Sequence, residues 1–375
     1  MKERAGRLIY SRPRMKRLVA IALLSLSLEL IAAPAPGSLR LGLSLYGNGT
    51  QSLETQSRIA GTELQATYER AFSPSFSARA VASLQMETGS ARQRFATDFG
   101  PRQVQRLREA KLTWTPSADL GFSLGALDQH AWDSPLLIQR LSFPGISERF
   151  ERRFGHWSVS VSAQQSVASD TSTAQPFGQW PQGMPAFYLE RVALGYENAG
   201  SALTLQATHF LFENLSNPSA AQAQFQGNTV TGSGATALYA YGFQGFEWAA
   251  TVKGRVGRFS PLLRSALLTN AAAPLGKSTG WRLAAEMGWE TGELRLTPQV
   301  EFFRVESDAA PAFFRDRVFG HGNRAGFGLA LGLDIPASGI QCLAQWVRSD
   351  VLAANAYQSG MDWVRFQMSV DYDLL

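Results

Sequence analysis

The sequence predicts an all-β fold, a transmembrane antiparallel up-and-down β-barrel of about 16 strands, on three observations. First, the final stretch, 361–375, alternates apolar residues such as Val364 and Phe366 with polar ones such as Arg365 and Gln367. A strand with this pattern has one apolar and one polar face. Second, segments of about ten residues with this alternation recur along the chain. Third, short turns alternate with longer polar loops between them.

Strands are predicted wherever the alternation holds, and Pro, Gly, Asn and Asp mark their ends. The segment 76–87, for example, places Ala78 on one face and Arg79 on the other. The predicted strands cover 39–45, 63–69, 76–87, 109–114, 120–126, 146–154, 157–164, 192–196, 203–207, 239–243, 248–252, 281–289, 294–302, 327–335, 340–346 and 361–375. The alternation is poorest in 146–154, because three charged residues share a face there.

Short turns set the strand number. They are predicted near residues 73, 117, 155, 199, 245, 292 and 338, with long loops between them. This alternation of short turns and long loops implies eight hairpins and hence 16 strands. An even number of strands places both chain ends on the short-turn side. A barrel of this size is wide enough to enclose water rather than a packed core.

The positions of the aromatic residues also support a transmembrane barrel. One set lies beside the short turns, as Tyr68, Trp114 and Trp157 do, and a second set lies near the long loops, as Phe302 and Trp346 do. Two belts separated by a strand length fit the two interfaces of a bilayer. The alternative is that aromatic residues simply favour strands.

Composition excludes several other classes of protein. Charged residues make up 17% of the chain, the mean hydropathy is -0.11, and no apolar run is long enough for a membrane-spanning helix. The pI of 9.5 comes from residues 1–35, which hold seven of the 35 basic residues and two of the 30 acidic ones. The remainder carries 28 of each sign, so no nucleic-acid groove is expected.

The N-terminal segment has the parts of a secretory signal peptide. Residues 15–17 are a positive region, 18–28 an apolar core and 31–35 a small-residue exit. We therefore expect 1–35 to be a cleaved signal peptide, with Met15 as an alternative start of translation, and 36–375 to be the barrel.

On these features the chain resembles the porin-like outer-membrane β-barrels of Gram-negative bacteria, over essentially the whole mature length. The resemblance implies a channel in the bacterial outer membrane through which small hydrophilic solutes diffuse passively. It also implies outer-membrane lipid and the barrel assembly machinery as partners, with a homotrimer as a candidate assembly. The chain ends in Leu374 and Leu375, whereas barrels of this kind usually end in an aromatic residue.

Charged residues on the polar faces of the predicted strands are the candidate pore lining. They are Arg79, Lys111, Arg149, Arg153, Arg191, Lys253, Arg255, Arg282, Arg295, Arg365, Glu69, Glu109, Glu151, Glu286 and Glu301. Because both signs are present on a neutral chain, we expect weak ion preference. The alternative is that these residues pair across the lumen and only stiffen the wall.

The loop 129–144 is the candidate constriction. Its candidate residues are Trp132, Asp133, Leu136 and Arg140, and its segment 132–138 is unusually apolar for a loop in water. Porins resembling this chain often fold the corresponding loop into the barrel, where Asp133 would face basic wall residues. The alternative is that the segment packs on top of the barrel or against a neighbouring subunit.

Other functions find weaker support. The residues 276–279, Gly-Lys-Ser-Thr, resemble the end of a phosphate-binding loop, but Ala271 stands where that motif needs its first glycine. No catalytic motif is apparent, the four histidines are dispersed, and Cys342 is the sole cysteine, so we expect no enzyme, metal or cofactor. A non-conducting adhesin or assembly scaffold, and less so a barrel enzyme, are the alternatives to a channel.

Overall fold

The computed structural model describes residues 37–95, 98–138, 142–168, 183–315 and 317–374. The signal-peptide prediction for 1–35, and the start at Met15, lie outside the described residues. Among the helices of the described part, none is both long and apolar enough to cross a membrane.

The described chain forms a closed antiparallel barrel of 16 strands, which confirms the predicted fold class. The barrel strands are β1 Ser38–Gln51, β2 Thr55–Ser73, β3 Phe76–Gln93, β4 Gln103–Ser117, β5 Leu120–Asp128, β6 Ser142–Phe154, β7 Trp157–Ser166, β8 Ala186–Glu197, β9 Ser201–Glu213, β12 Phe243–Gly254, β13 Phe259–Asn270, β14 Thr279–Glu290, β15 Arg295–Val305, β16 Arg324–Ile335, β17 Ile340–Val351 and β18 Met361–Asp373. The loop between β9 and β12 holds helix α1, Asn217–Phe225, and a separate hairpin of β10, Val230–Thr231, and β11, Leu238–Tyr239.

The first and last barrel strands close the sheet. β1 pairs with β18 along its length, with Leu43 opposite Val370, and the Arg40 Nε atom lies 2.8 Å from Asp373 Oδ1 at the seam. Closure gives every strand a partner on both sides, so no edge exposes unpaired backbone groups to lipid.

The two faces of the wall have opposite character. Leucine and aromatic side chains point outward and remain exposed, as Leu124 and Phe366 do at 58% and 57%. Alternate positions point inward and are polar, as Ser83 and Gln85 on β3 are. This arrangement suits a bilayer, where a cation on the lipid face costs about 2–4 kcal/mol near the midplane.

The predicted turn at 244–246 is wrong. β12 runs through these residues and pairs with β9 and β13 on its two sides. A Cβ atom on Gly245 would lie 1.8 Å from the Thr269 carbonyl oxygen, so the glycine allows close strand packing rather than a turn. The turn follows at 255–258, where Gly257 has a φ of 60°.

The sequence pattern also does not reveal β13. Its outward residues Leu263 and Leu267 are apolar, but the inward Leu268 is apolar as well and fully buried. The alternation of apolar and polar residues therefore disappears. The predicted count of 16 strands holds because this missing strand is offset by the predicted strand 239–243, which overlaps β12 only at Phe243 and otherwise lies in and after β11.

The loops fold inward at the end of the barrel opposite the short turns, which we call the loop end. Leu136, Leu137 and Phe314 from loops pack with the inward-facing Phe187 and Phe210 in one buried apolar cluster. The core of the molecule thus lies inside the loop end of the barrel.

Candidate functional site

A cavity of about 970 Å³ occupies the barrel interior. Gln65, Gln345 and Gln367 on wall strands line it, and it extends from Asp371, near the short turns, to His321 in a loop. Its lining is mainly polar because it takes the inward positions of the alternating strands. Such a polar space is large enough for many water molecules.

The first group of predicted lining residues forms a chain of ion pairs across β2, β3 and β4. The Arg79 Nε atom lies 3.1 Å from Glu69 Oε1 and 3.3 Å from Glu109 Oε2, and Lys111 Nζ lies 2.6 Å from Glu109 Oε1. These four side chains neutralise one another, so this part of the wall is stiffened rather than charged.

Three more predicted residues pair within β6. Arg149 contacts Glu151, and the Arg153 Nε atom lies 3.8 Å from the same carboxylate. Arg255 lies in the turn after β12 rather than on a strand, and its Nη2 atom is 3.4 Å from Glu290 Oε2. Both arginines of β6 are largely exposed, so water screens these pairs.

On the opposite wall the pairs are more buried. The Arg282 Nη2 atom lies 2.9 Å from Glu301 Oε2, and both residues line the cavity. Glu286 pairs with Arg264, which the sequence pattern does not single out because β13 is hidden, at 2.7 Å.

Three further predicted wall residues, Lys253, Arg295 and Arg365, take inward-facing positions on their strands. Arg365 lines the cavity and contacts Gln367. Lys253 and Arg295 lie near the short-turn ends of β12 and β15, on the positions that face inward.

The described part of the loop 129–144 lies inside the barrel. Trp132 is buried, and its Nε1 atom donates a hydrogen bond to Gln164 Oε1 at 2.9 Å on β7. Arg191 on β8 donates from Nη2 to the Trp132 carbonyl oxygen at 2.5 Å and to Ser134 Oγ at 3.0 Å. Ser134 also contacts Glu247 on β12. Three wall strands thus hold the loop.

Two further loop residues have distinct roles. Asp133, with a φ of 47°, lines the cavity, and Leu136 is fully buried in the apolar cluster. Arg149 and Arg153 are engaged with Glu151, so the wall cation that holds this loop is Arg191 instead. Arg140 lies outside the described residues.

Several interior residues escape the sequence pattern. Arg106 and Arg108 at the start of β4 line the cavity, and Arg108 Nη2 lies 2.5 Å from Glu63 Oε1. β4 has a β-bulge opposite Val81 and Ala82. Odd-numbered residues of β4 face inward from Glu109 onward, whereas even-numbered residues such as Arg106 and Arg108 face inward before the bulge. Extending the alternation of Glu109 backward therefore assigns the wrong residues to the lumen.

An ion pair between two loops is another feature that the sequence does not indicate. The His321 Nε2 atom lies 2.6 Å from Asp98 Oδ2, and Gln226 Nε2 donates to the same oxygen at 3.1 Å. Burial by itself raises the pKa of the Asp98 carboxyl, but the hydrogen bond and charge of His321 outweigh it and leave the pKa at about 2. Asp98 is therefore ionised and ties three segments together. Among the described residues, no group of His, Cys, Asp and Glu is arranged to hold a metal ion.

The closed wall, apolar outside and polar inside, defines a class: transmembrane β-barrels with a polar interior. Solved Gram-negative barrels share this fold. The chain is similar to Pseudomonas putida OprB at high pH, with 10% identity and a TM-score of 0.58 over 94% of this chain and 97% of that one. It is similar to a loop L8 deletion mutant of OmpT, an outer membrane protein of Vibrio cholerae, with 9% identity and a TM-score of 0.54 over 90% and 100%.

A third similar structure is Salmonella typhi OmpF in complex with daunomycin, with 9% identity and a TM-score of 0.52 over 90% of this chain and 97% of that one. At such low identity the similarity shows the fold. No protein-family model and no curated protein matches the sequence.

Proposed function

We propose that this chain is a porin-like channel of the bacterial outer membrane, through which small hydrophilic solutes diffuse passively. One observation carries the proposal: the barrel encloses a polar cavity of about 970 Å³ that reaches from the short-turn half to the loops. The fold shared with OmpT, an outer membrane protein of Vibrio cholerae, supports the location in the outer membrane.

The proposed mechanism follows from the charges of the wall. Most wall carboxylates are paired with arginine or lysine, as Glu301 is with Arg282. Paired charges orient water and polar solutes without a strong net field. The loop held by Arg191 narrows the cross-section, so solute size is selected there.

The test is conductance in a planar bilayer. The purified chain is expected to produce stepwise current increases in potassium chloride, since a water-filled barrel conducts ions. The same preparation after heat unfolding is the control. Insertion of folded protein without any conductance step contradicts the proposal.

A second candidate is a non-conducting barrel that serves as an adhesin or assembly scaffold. The observation that favours it is the buried apolar cluster at the loop end, where Leu137, Phe210 and Phe314 fill part of the interior. The conductance measurement separates the two functions, because a plugged barrel inserts silently.

The proposal includes three partners. Outer-membrane lipid covers the outward face, and the barrel assembly machinery acts on the last strand, β18, whose outward Tyr372 is 57% exposed. The third partner is the chain itself, because two further copies join it in a homotrimer. Its contact face is the outward surface of β6, β7, β8 and β9.

Polar residues on that outward surface support the trimer. Glu148, in the middle of β6, and Glu190 on β8 flank Ala163 in one row across the strands. The Glu190 Oε2 atom lies 3.5 Å from His209 Nδ1 on β9. Carboxylates on a lipid-facing surface are unfavourable, so a protein partner explains them better than acyl chains do.

Native mass measurement in mild detergent tests this assembly. The unchanged protein is expected at three times the chain mass, and the double variant Glu148→Leu and Glu190→Leu at a lower mass. Val192→Leu, on the same face of β8, is the matched control. An unchanged mass for the double variant contradicts the proposed face.

A further inference from the structure

One side of the interior cavity is lined by glutamine side chains. They are Gln65 on β2, Gln299 on β15, Gln341 and Gln345 on β17, and Gln367 on β18. Their strands belong to one continuous part of the wall, which runs from β15 through β16, β17, β18 and β1 to β2. We call these five residues the glutamine face.

Most amides of the glutamine face are not used by the protein. Four of the five side chains make no hydrogen bond to the described part of the chain, and all four are half-buried or exposed: Gln65, Gln299, Gln341 and Gln345. Other glutamines of the cavity differ, because Gln85 donates to the Tyr46 hydroxyl at 2.6 Å and Gln226 donates to Asp98 at 3.1 Å. The four amides therefore face water, and a solute replaces that water without breaking a contact within the protein.

The strand register places two of these amides on either side of a recess. Ala330 on β16 is paired with Gln299 on one side and with Gln345 on the other. Gly332, the next inward position of β16, has no side chain. Neighbouring strands are about 4.8 Å apart, so the backbones of the two glutamines are separated by about 10 Å across a low floor.

The charged side chains that line the cavity from the same strands are largely compensated. Glu301 on β15 pairs with Arg282, and Glu63 on β2 is paired as well. Arg365 and Asp371, both on β18, carry opposite signs. This side of the lumen therefore offers hydrogen bonds without a strong net charge.

We propose that the glutamine face binds neutral solutes that carry several hydroxyl groups, such as sugars. A glutamine amide has two N–H donors and a carbonyl acceptor, and each hydroxyl group both donates and accepts. Such an amide therefore replaces the water around a hydroxyl group in both roles. An ion gains less, since an uncharged amide does not offset the loss of its hydration. The inference deepens the proposed channel function and rests on it only for passage, because binding does not require conduction.

Binding is tested on the folded protein, in a detergent without a sugar headgroup, by saturation-transfer NMR. The probe is sucrose, and the comparison solute is an ethylene glycol oligomer of similar mass, whose chain accepts hydrogen bonds but donates only at its ends. Saturable binding of sucrose is expected, and Gln299→Leu and Gln345→Leu should each weaken it by about threefold or more. The matched control is Gln56→Leu, at an exposed position of β2 between the buried, inward-facing Thr55 and Ser57, and it should bind like the unchanged protein.

Passage is tested in parallel, by conductance in potassium chloride and by the swelling of liposomes in each solute. The unchanged protein should admit sucrose faster than the oligomer, and the two Leu variants should lose that advantage. A conducting protein that binds sucrose no better than the oligomer, or Leu variants with the affinity of the unchanged protein, overturns the inference. A protein that binds sucrose but does not conduct overturns the channel function alone. Should one Leu variant not fold, the other and Gln341→Leu decide the outcome.

Discussion

At the scale of single residues, the contact between Asp98 and His321 joins loops that are 223 positions apart. The Asp98 carboxylate also accepts a hydrogen bond from the side chain of Gln226, at the end of α1. One charged group therefore connects three segments over the cavity. Loop order at this end of the barrel therefore depends on the ionisation of a single side chain.

A pH dependence follows from the low pKa of Asp98. The pKa is about 2 in the folded state and about 3.9 in an unfolded chain, so the stabilisation is complete above the higher value. It is lost as the pH falls from about 4 to about 2. Asp98→Asn should open the loops at neutral pH at a cost of about 1–3 kcal/mol.

Hydrogen exchange of the backbone around 98–102 measures this opening. The unchanged protein should be protected at pH 6 and become similar to the Asn variant near pH 2, since protonation removes the same charge. Equal protection of both proteins at pH 6 would contradict the assigned role of Asp98.

A second prediction at this scale concerns Leu136, which is fully buried in the interior cluster. Leu136→Ala leaves a cavity beneath the loop and should weaken its attachment by about 2–5 kcal/mol. We expect a noisier open-channel current, because a loosened loop moves within the lumen. Leu124→Ala, on the exposed outward face of β5, is the control and should leave the noise unchanged. Equal noise in both variants would remove the loop from the conduction path.

At the scale of elements, the strand pair β12 and β13 shows how a glycine is misread. Gly245 allows two backbones to approach, whereas Gly257 supplies the left-handed conformation of the turn. Alternating patterns do not distinguish these uses of glycine.

We expect the barrel to be sensitive to a substitution at Gly245 and to tolerate an insertion after Gly257. Gly245→Val should prevent barrel assembly, because its side chain meets the Thr269 carbonyl oxygen. Inserting a short polar tag after Gly257 should be tolerated, since this residue lies in the turn between β12 and β13 and nothing lies within 4 Å of its Cβ position. Recovery of folded protein from outer-membrane fractions measures both. A folded Gly245→Val barrel and an unfolded insertion variant would reverse the assignment of strand and turn.

At the scale of the whole molecule, closure by β1 and β18 makes the barrel one cooperative unit. All strand edges are satisfied, so local opening of the wall breaks hydrogen bonds on both neighbours. The seam ion pair of Arg40 and Asp373 is exposed on both sides and adds little to this.

Closure predicts the behaviour of the chain on a gel. Unboiled protein in detergent should remain a compact barrel and migrate differently from boiled protein, whereas Arg40→Ala should behave like the unchanged chain. Deleting β18 should abolish the difference, because it leaves two open edges. Identical migration before and after boiling would argue against a closed barrel.

The sequence by itself determined the class of fold, because side-chain direction alternates along a strand and lipid requires one apolar face. Both wall faces and the inward direction of the residues from Glu69 to Lys111 follow from that rule, whereas the strand number agrees only because two errors cancel. Where the rule is broken, the sequence pattern misleads: the bulge in β4 changes which residues face inward, and the apolar interior hides β13.

Only the tertiary structure decided what lies within the lumen. The loop at Trp132 is held by Arg191, Gln164 and Glu247, and Asp98 contacts His321 from far along the chain. Such contacts depend on the inward course of long loops, which have no periodic pattern. Their positions follow from the packing of apolar loop residues against the wall, and that packing exists only once the barrel has closed.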